Sequence, residues 1–240
     1  MDGVTSATSL SFDLRQTPLR QVNQFLHDVQ TVHIQTVHST QTVQILNPDG
    51  AHNIAVGLDA PLQVEIVGHT GYYAAGMNQL ATVTIVGNAG PGVAENMMSG
   101  RVQVQGFASV SAGASAQGGL LVIDGDASLR CGISLKGGDI VVGGNVGSFS
   151  AFMAQAGRLV ICGDAGDALG DSLYEAVIYV RGQIKSLGAD AQLEPMTDQD
   201  YAAVADLLAQ SGRFHDPQEF KRVASARQLY HWNADANQEY

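Results

Sequence analysis

Val64-Glu65-Ile66-Val67-Gly68 returns as Val83-Thr84-Ile85-Val86-Gly87, Val102-Gln103-Val104-Gln105-Gly106, Leu121-Val122-Ile123-Asp124-Gly125, Ile140-Val141-Val142-Gly143-Gly144, Leu159-Val160-Ile161-Cys162-Gly163 and Ile178-Tyr179-Val180-Arg181-Gly182, each copy 19 residues after the last. The first and third positions are Val, Ile or Leu in all seven copies, and the fifth is always Gly. Alternation over five residues is the signature of a strand with one buried face. A sandwich could use such strands, but its loops vary in length and reverse the chain. A period without insertions instead stacks each strand on its own copy at ~4.8 Å. The expected architecture is a mainly β, parallel β-helix of 19-residue coils about 30 Å long, with aliphatic ladders inside.

Two further columns keep the register. Gly100, Gly119, Gly138 and Gly157 precede the main Gly by six residues, and Gly71, Gly90, Ser109, Ser128, Gly147 and Gly166 follow it by three. Glycine belongs at corners with positive φ or where coils approach too closely for a Cβ. On that basis Gly144→Val is expected to cost several kcal/mol and Gly118→Ala, outside an unbroken column, little. Asn88, Asp126, Asn145 and Asp164, just after the main Gly, read as Asx-type turn residues rather than calcium ligands. A period of 19 also excludes hexapeptide and calcium-binding nonapeptide helices.

The repeat divides the chain into an N-terminal extension (1–42), the β-helix (43–190) and a helical C-terminal tail (191–240). Thr17-Pro18-Leu19 opens a short helix through about Asp28. His33 and His38 lie in an alternating segment that would turn them to opposite faces, which disfavours a metal site. Ile45 stands 19 residues before Val64, but Asn47 and Asp49 occupy the next aliphatic and Gly places, so an imperfect first coil is expected. Thr197-Asp198-Gln199-Asp200 resembles a capping box for a helix carrying Tyr201, Val204 and Leu208 and stopped by Gly212. The tail from Gln218, with Phe220, Val223, Leu229, Tyr230 and Trp232, is expected to pack on the rod or on a partner.

Composition excludes several classes. A net charge of −11 gives no footprint for nucleic acid or anionic lipid. No basic-then-apolar leader and no membrane-length apolar run are present, so a cytoplasmic location is expected. Cys131 and Cys162 are too few for a disulfide framework or a cluster held by this chain alone, and read as buried free thiols. Gly87-Asn88-Ala89-Gly90-Pro91-Gly92 imitates a phosphate loop but lacks the Lys and the helix that complete one. Neither a nucleophile elbow nor a zinc-protease helix motif occurs. A secreted carbohydrate-active β-helix would need an export signal and clustered carboxylates.

Irregular side chains are confined to loops at equivalent places in successive coils: 68–79, 93–99, 130–136, 149–155 and 169–175. Their Tyr, Met and Arg content is that of a protein interface, and the candidate contact residues are His69, Tyr72, Tyr73, Asn78, Asn88, Glu95, Asn96, Arg130, Asp171, Tyr174 and Glu175. Met97, Met153 and Phe152 are the first candidates for filling the interior instead.

The 19-residue Gly repeat resembles the GXGXG domain, the right-handed β-helix at the end of the glutamate synthase large subunit, and one subunit of formylmethanofuran dehydrogenase. More closely, Gly87-Asn88-Ala89-Gly90-x-Gly92-Val93-Ala94-Glu95-Asn96-Met97-Met98-Ser99-Gly100 and Gly163-Asp164-Ala165-Gly166-x-Ala168-Leu169-Gly170-Asp171-Ser172-x-Tyr174-Glu175-Ala176 are similar to the stand-alone GXGXG subunit of N-methylglutamate synthase. The resemblance covers nearly the whole chain. It implies a subunit without its own active site in a complex that forms N-methylglutamate and ammonia from glutamate and methylamine. Its partners would be a glutamine-amidotransferase-like subunit and a glutamate-synthase-like subunit carrying FMN and an iron-sulfur cluster. No catalytic, cofactor or metal residue transfers to this chain. Another complex with glutamate-synthase-type chemistry is the nearest rival.

Overall fold

In the computed structural model, which describes residues 10–33 and 42–226, every aliphatic pair of the repeat points into the rod. The strands are β1 (Leu10–Asp13), β2 (Thr42–Leu46), β3 (Gln63–Val67), β4 (Thr82–Val86), β5 (Arg101–Val104), β6 (Leu120–Ile123), β7 (Lys136–Val142), β8 (Ala156–Ile161), β9 (Val177–Val180), β10 (Ala191–Glu194) and β11 (Lys221–Ser225), with helices α1 (Leu19–His33) and α2 (Asp198–Gln210). From β1 to β9 each strand pairs in parallel with the next, in one sheet ordered β1 to β9, then β11, then β10. Ile66, Ile85, Val104, Ile123, Val142, Ile161 and Val180 form one ladder, and all are fully buried. The parallel β-solenoid expected from the period is the fold. A second ladder of single bridges runs Thr70, Ala89, Ala108, Ala127, Val146, Ala165, Ile184.

The third side of each coil is built differently. Tyr73, Ser111, Arg130, Phe149 and Ala168 share one column, and their φ values lie between 54° and 63°. Ala75, Ala94 and Ala151 form a second left-handed column, and Met77, Asn96, Ser115, Ser134, Met153 and Ser172 a third. An L-residue there costs roughly 1–2 kcal/mol. What holds it is hydrogen bonding between coils. The first column donates to the next coil, as Arg130 N–H to Ser148 O at 3.0 Å, and the second to the preceding coil, as Ala94 N–H to Ala74 O at 2.9 Å.

Several expectations are corrected. The first coil does carry an aliphatic pair, Val43 and Ile45, but it faces Val64 and Ile66 across a step of 21 residues, not 19. Asn47, at φ 53°, sits in the lengthened corner. The N-terminal helix continues past Asp28 to His33, since no Gly or Pro interrupts it; His33 is therefore helical, and His38 lies outside the described residues. In the main Gly column only Gly68 and Gly87 have positive φ, +131° and +156°; Gly144 is a close-approach position instead, where a Cβ would stand 2.1 Å from Asp126 Oδ1. Gly118 is not permissive, because its Cβ would stand 2.4 Å from the Met98 carbonyl oxygen. The column after the main Gly makes inter-coil bonds instead of local turns. His69 Nδ1 accepts the Asn88 N–H at 3.0 Å and Asn88 Oδ1 that of Phe107 at 3.0 Å. Beyond Phe107, which has no side-chain acceptor, Asp126 serves Asn145 at 2.6 Å, Asn145 serves Asp164 at 2.7 Å and Asp164 serves Gln183 at 2.7 Å.

Both ends of the rod are closed. Val22 and Leu26 of α1 belong to the buried core that includes Ile54 and Leu58, and α1 also supplies a polar cap. Asn23 Nδ2 donates to Asn53 O at 2.8 Å while its Oδ1 accepts the Ala55 N–H at 3.0 Å, so one side-chain amide replaces the peptide of a missing coil. His27 Nε2 lies 3.0 Å from Val56 O. Asn23→Ala strands one donor and one acceptor, and we expect a loss of about 1–2 kcal/mol. Faster hydrogen exchange at the Ala55 amide would localise the effect, and unchanged exchange there would refute this role.

At the other end β11 runs antiparallel to β9 and β10 antiparallel to β11. Helix α2 lies on the outer sheet face, where Val204, Leu207, Leu208 and Phe220 form a second core with Leu120, Val122, Val141, Val160, Cys162 and Tyr179. Its capping box is present, Thr197 Oγ1 accepting the Asp200 N–H and Asp200 the Thr197 N–H. These strands are apolar on both faces because both are buried. On β3 to β5 the outer face keeps Glu65, Thr84 and Gln103.

Candidate interaction surface

The interior is apolar. Its columns are filled by Val, Ile, Leu and Ala, and burial pushes the Cys131 thiol up to about 12 and that of Cys162 upward too. Both cysteines are free and buried, far from the thiolate character that reactive cysteines need. Carboxylates of the outer sheet face are engaged: Glu65 accepts from Gln44 at 2.8 Å, Asp124 from Arg213 at 3.1 Å, and Asp139 from Arg158 at 2.6 and 2.7 Å. Among the described residues, no three His, Cys, Asp or Glu side chains are placed to hold a metal ion, and no helix is long and apolar enough to cross a membrane.

The surface that departs from this pattern is the left-handed side. Its inter-coil bonds fix which residues stack, and so sort the candidates. Tyr73 and Arg130 share a column three coils, ~14 Å, apart, and Glu95 and Asp171 share another. His69 and Asn88 sit on the corner before this side, joined by the bond described above. Tyr174 and Glu175 mark the corner after it. Asn78 does not reach the surface: at 0% exposure it donates to Ala81 O at 2.8 Å and Ser99 O at 3.1 Å, bracing the corner from inside. Of the residues considered for the interior, Met97 is buried, whereas Met153 is 41% exposed.

Two groups of exposed apolar side chains edge this side. At one edge Tyr72 and Leu129 share a column, flanked by Phe107 in the column of Asn88 and Phe149 in that of Arg130, with Tyr72 50% and Leu129 48% exposed. Tyr72 is braced by stacking on His52 at a ring-centroid distance of 3.7 Å and by its N–H, which donates to His52 Nδ1 at 3.1 Å. Val110, Ser111, Leu129, Arg130, Ser148 and Phe149 enclose a shallow depression. Arg130 is exposed there, a planar cation beside apolar and aromatic groups. Along the other edge stand Met77, Leu80, Met98, Met153 and Tyr174. Phe107, Leu129 and Leu80 were not among the sequence candidates. Leu129 was findable, since like Tyr72 it follows its main Gly by four residues.

Exposed apolar groups gathered together mark protein contacts more than scattered ones do, and Tyr, Phe, Met and Arg are the residues enriched there. The arrangement offers rigid contact area on a fixed spacing of ~4.8 Å per coil.

No family model matches the chain. It is similar to the protein GlxC of Rhizobium meliloti (strain 1021), with 54% identity over 224 residues, 93% of this chain and 96% of that protein.

Proposed function

Because the chain belongs to the family of the Rhizobium meliloti protein GlxC, a likeness that runs almost end to end, we propose one role for the whole rod: the non-catalytic scaffold subunit of a multisubunit glutamate-synthase-like enzyme. The GXGXG resemblance favours N-methylglutamate synthase, which joins glutamate and methylamine and releases ammonia. In this reading FMN and the iron-sulfur cluster reside on a partner subunit, and a glutamine-amidotransferase-like subunit completes the complex.

The observation that carries the reading is the group of exposed apolar side chains Tyr72, Phe107, Leu129 and Phe149 on neighbouring columns beside Arg130, on a rod with an apolar interior. A stacked coil presents these groups without ordering any loop on binding, which lowers the entropic cost of assembly. Arg130 and Phe149 sit on left-handed backbone whose N–H groups donate to Ser148 O at 3.0 Å and Asp167 O at 2.8 Å of the next coil, which holds those two contact points in place.

Size-exclusion chromatography of the mixed subunits tests this. The Tyr72→Ala/Leu129→Ala/Phe149→Ala variant should assemble at least about 100-fold more weakly, as expected when two anchors of ~1.4 kcal/mol or more are lost. Its melting temperature should stay near that of the parent, since all three side chains are exposed. Unimpaired assembly would remove this edge from the interface. A flavin spectrum in the purified subunit would overturn the scaffold role itself.

A further inference from the structure

The chain leaves the described region at one corner of the rod. Lys221 stands beside Val180 and Val223 beside Ile178, so each further residue of β11 moves back along the ninth coil toward Ala176. Ser225 Oγ then donates to Leu173 O, and the Ala226 N–H to Asp190 O, both at 2.8 Å. Tyr174, the neighbour of Leu173, is 46% exposed, and Met153 stands one coil earlier. The second apolar line therefore ends beside the last described residue. Beyond it lie residues 227–240, with Leu229, Tyr230 and Trp232, the only tryptophan of the chain.

We propose that Leu229, Tyr230 and Trp232 cover the Met153–Tyr174 end of this line within the same molecule. Reach allows it and also limits it. Six residues from Ala226 to Trp232 span at most ~20 Å. At ~4.8 Å per coil, Met153, which stacks on Ser172, is one coil and two residues from Tyr174, while Met77 lies five coils, ~24 Å, from Ser172. A tether this short holds the segment at an effective concentration in the millimolar range, enough for a contact of modest intrinsic strength. Two half-exposed apolar side chains at the point of exit give it a surface. This inference does not rest on the proposed function, which concerns the opposite edge.

Because Trp232 is unique, the fluorescence of the intact subunit reports on it directly. The expected result is an emission maximum blue-shifted from that of the urea-unfolded chain, with acrylamide quenching several-fold weaker. In Met153→Lys/Tyr174→Lys, a change at two exposed positions whose fold is checked by circular dichroism, both should move most of the way to the unfolded values. Met77→Lys should leave them unchanged. Unfolded-like emission in the parent, a blue shift that the double variant does not abolish, or one that grows with protein concentration would each overturn the proposal. The first outcome, followed by a blue shift only when partner subunits are added, would assign the segment to a partner instead.

Discussion

Replacing Gly157 by valine should cost about 4 kcal/mol or more and leave little folded protein at 37 °C. Gly157 is left-handed at φ +94°, and a Cβ on it would stand 2.4 Å from the Gly138 carbonyl oxygen. Strain and overlap therefore fall on one residue, and the atom in the way is backbone that the next coil fixes in place. A β-branched side chain has no rotamer that avoids it. Gly118→Ala isolates the overlap: its φ lies outside the left-handed region, yet its Cβ meets a carbonyl oxygen at the same 2.4 Å. That variant should lose about 1–3 kcal/mol. Urea unfolding of the three proteins checks the order, and a Gly157→Val protein as stable as Gly118→Ala would show that backbone strain contributes nothing there.

Asp200→Ala should be nearly as severe, at about 3–5 kcal/mol. Asp200 is buried and accepts from Tyr179 Oη at 2.7 Å, Arg222 Nε at 3.2 Å and the Thr197 N–H at 2.8 Å, so one carboxylate joins the sheet, the last strand and the start of α2. Truncation leaves the Arg222 Nε–H and the Tyr179 hydroxyl without their acceptor, Arg222 keeping only its ion pair with Glu194. Burial alone would raise the pKa of this carboxyl, but the hydrogen bonds from Thr197 and Tyr179 outweigh it and hold it below the usual carboxylate value. Burial, and after it the bond to Asp200, pushes the Tyr179 phenol upward. The sign for Asp200 follows: a folded pKa below the unfolded one of about 4 adds stability that is fully present above that value and is lost as pH falls through the folded pKa. Asp200→Asn should remove this increment at neutral pH, so the gap between parent and variant closes in acid. A gap that is constant from pH 7 to pH 3 would contradict the assignment.

How much of this was legible depended on whether a residue's role repeats. Val83 and Ile85 announce their burial because six other coils say the same thing, and a single period fixed strand direction, neighbours and register together. The first coil escaped because Val43 and Ile45 obey the pattern at a spacing of 21. The left-handed side was hidden for a different reason. Tyr73, Gly92, Ser111, Arg130, Phe149 and Ala168 occupy one column with no common chemistry, since bonds to adjacent coils, and not residue preference, hold that backbone. The seat of α2 left a trace: Thr84 and Gln103 give way to Val122, Val141 and Val160 at the same outward position where the sheet becomes covered. Of the surface candidates, Tyr72, Arg130 and Tyr174 are exposed, while Asn78, with the polarity of a contact residue, is spent inside a corner. Asn23 carried no signal at all, because a cap at the end of an array occurs once.

A parallel coil is in principle an open polymer: each turn presents the edge that the next one needs, and a second molecule could continue it into a filament. The reversal at β11 removes that possibility at one end. Its antiparallel pairing with β9 consumes the edge in the wrong sense for another coil, and the outermost strand is then Ala191–Glu194, four residues bounded by Pro195. A short edge closed by proline, with a carboxylate as its last side chain, is a poor template for strand addition. The rod thus stops at a defined coil at this end instead of growing into a fibre.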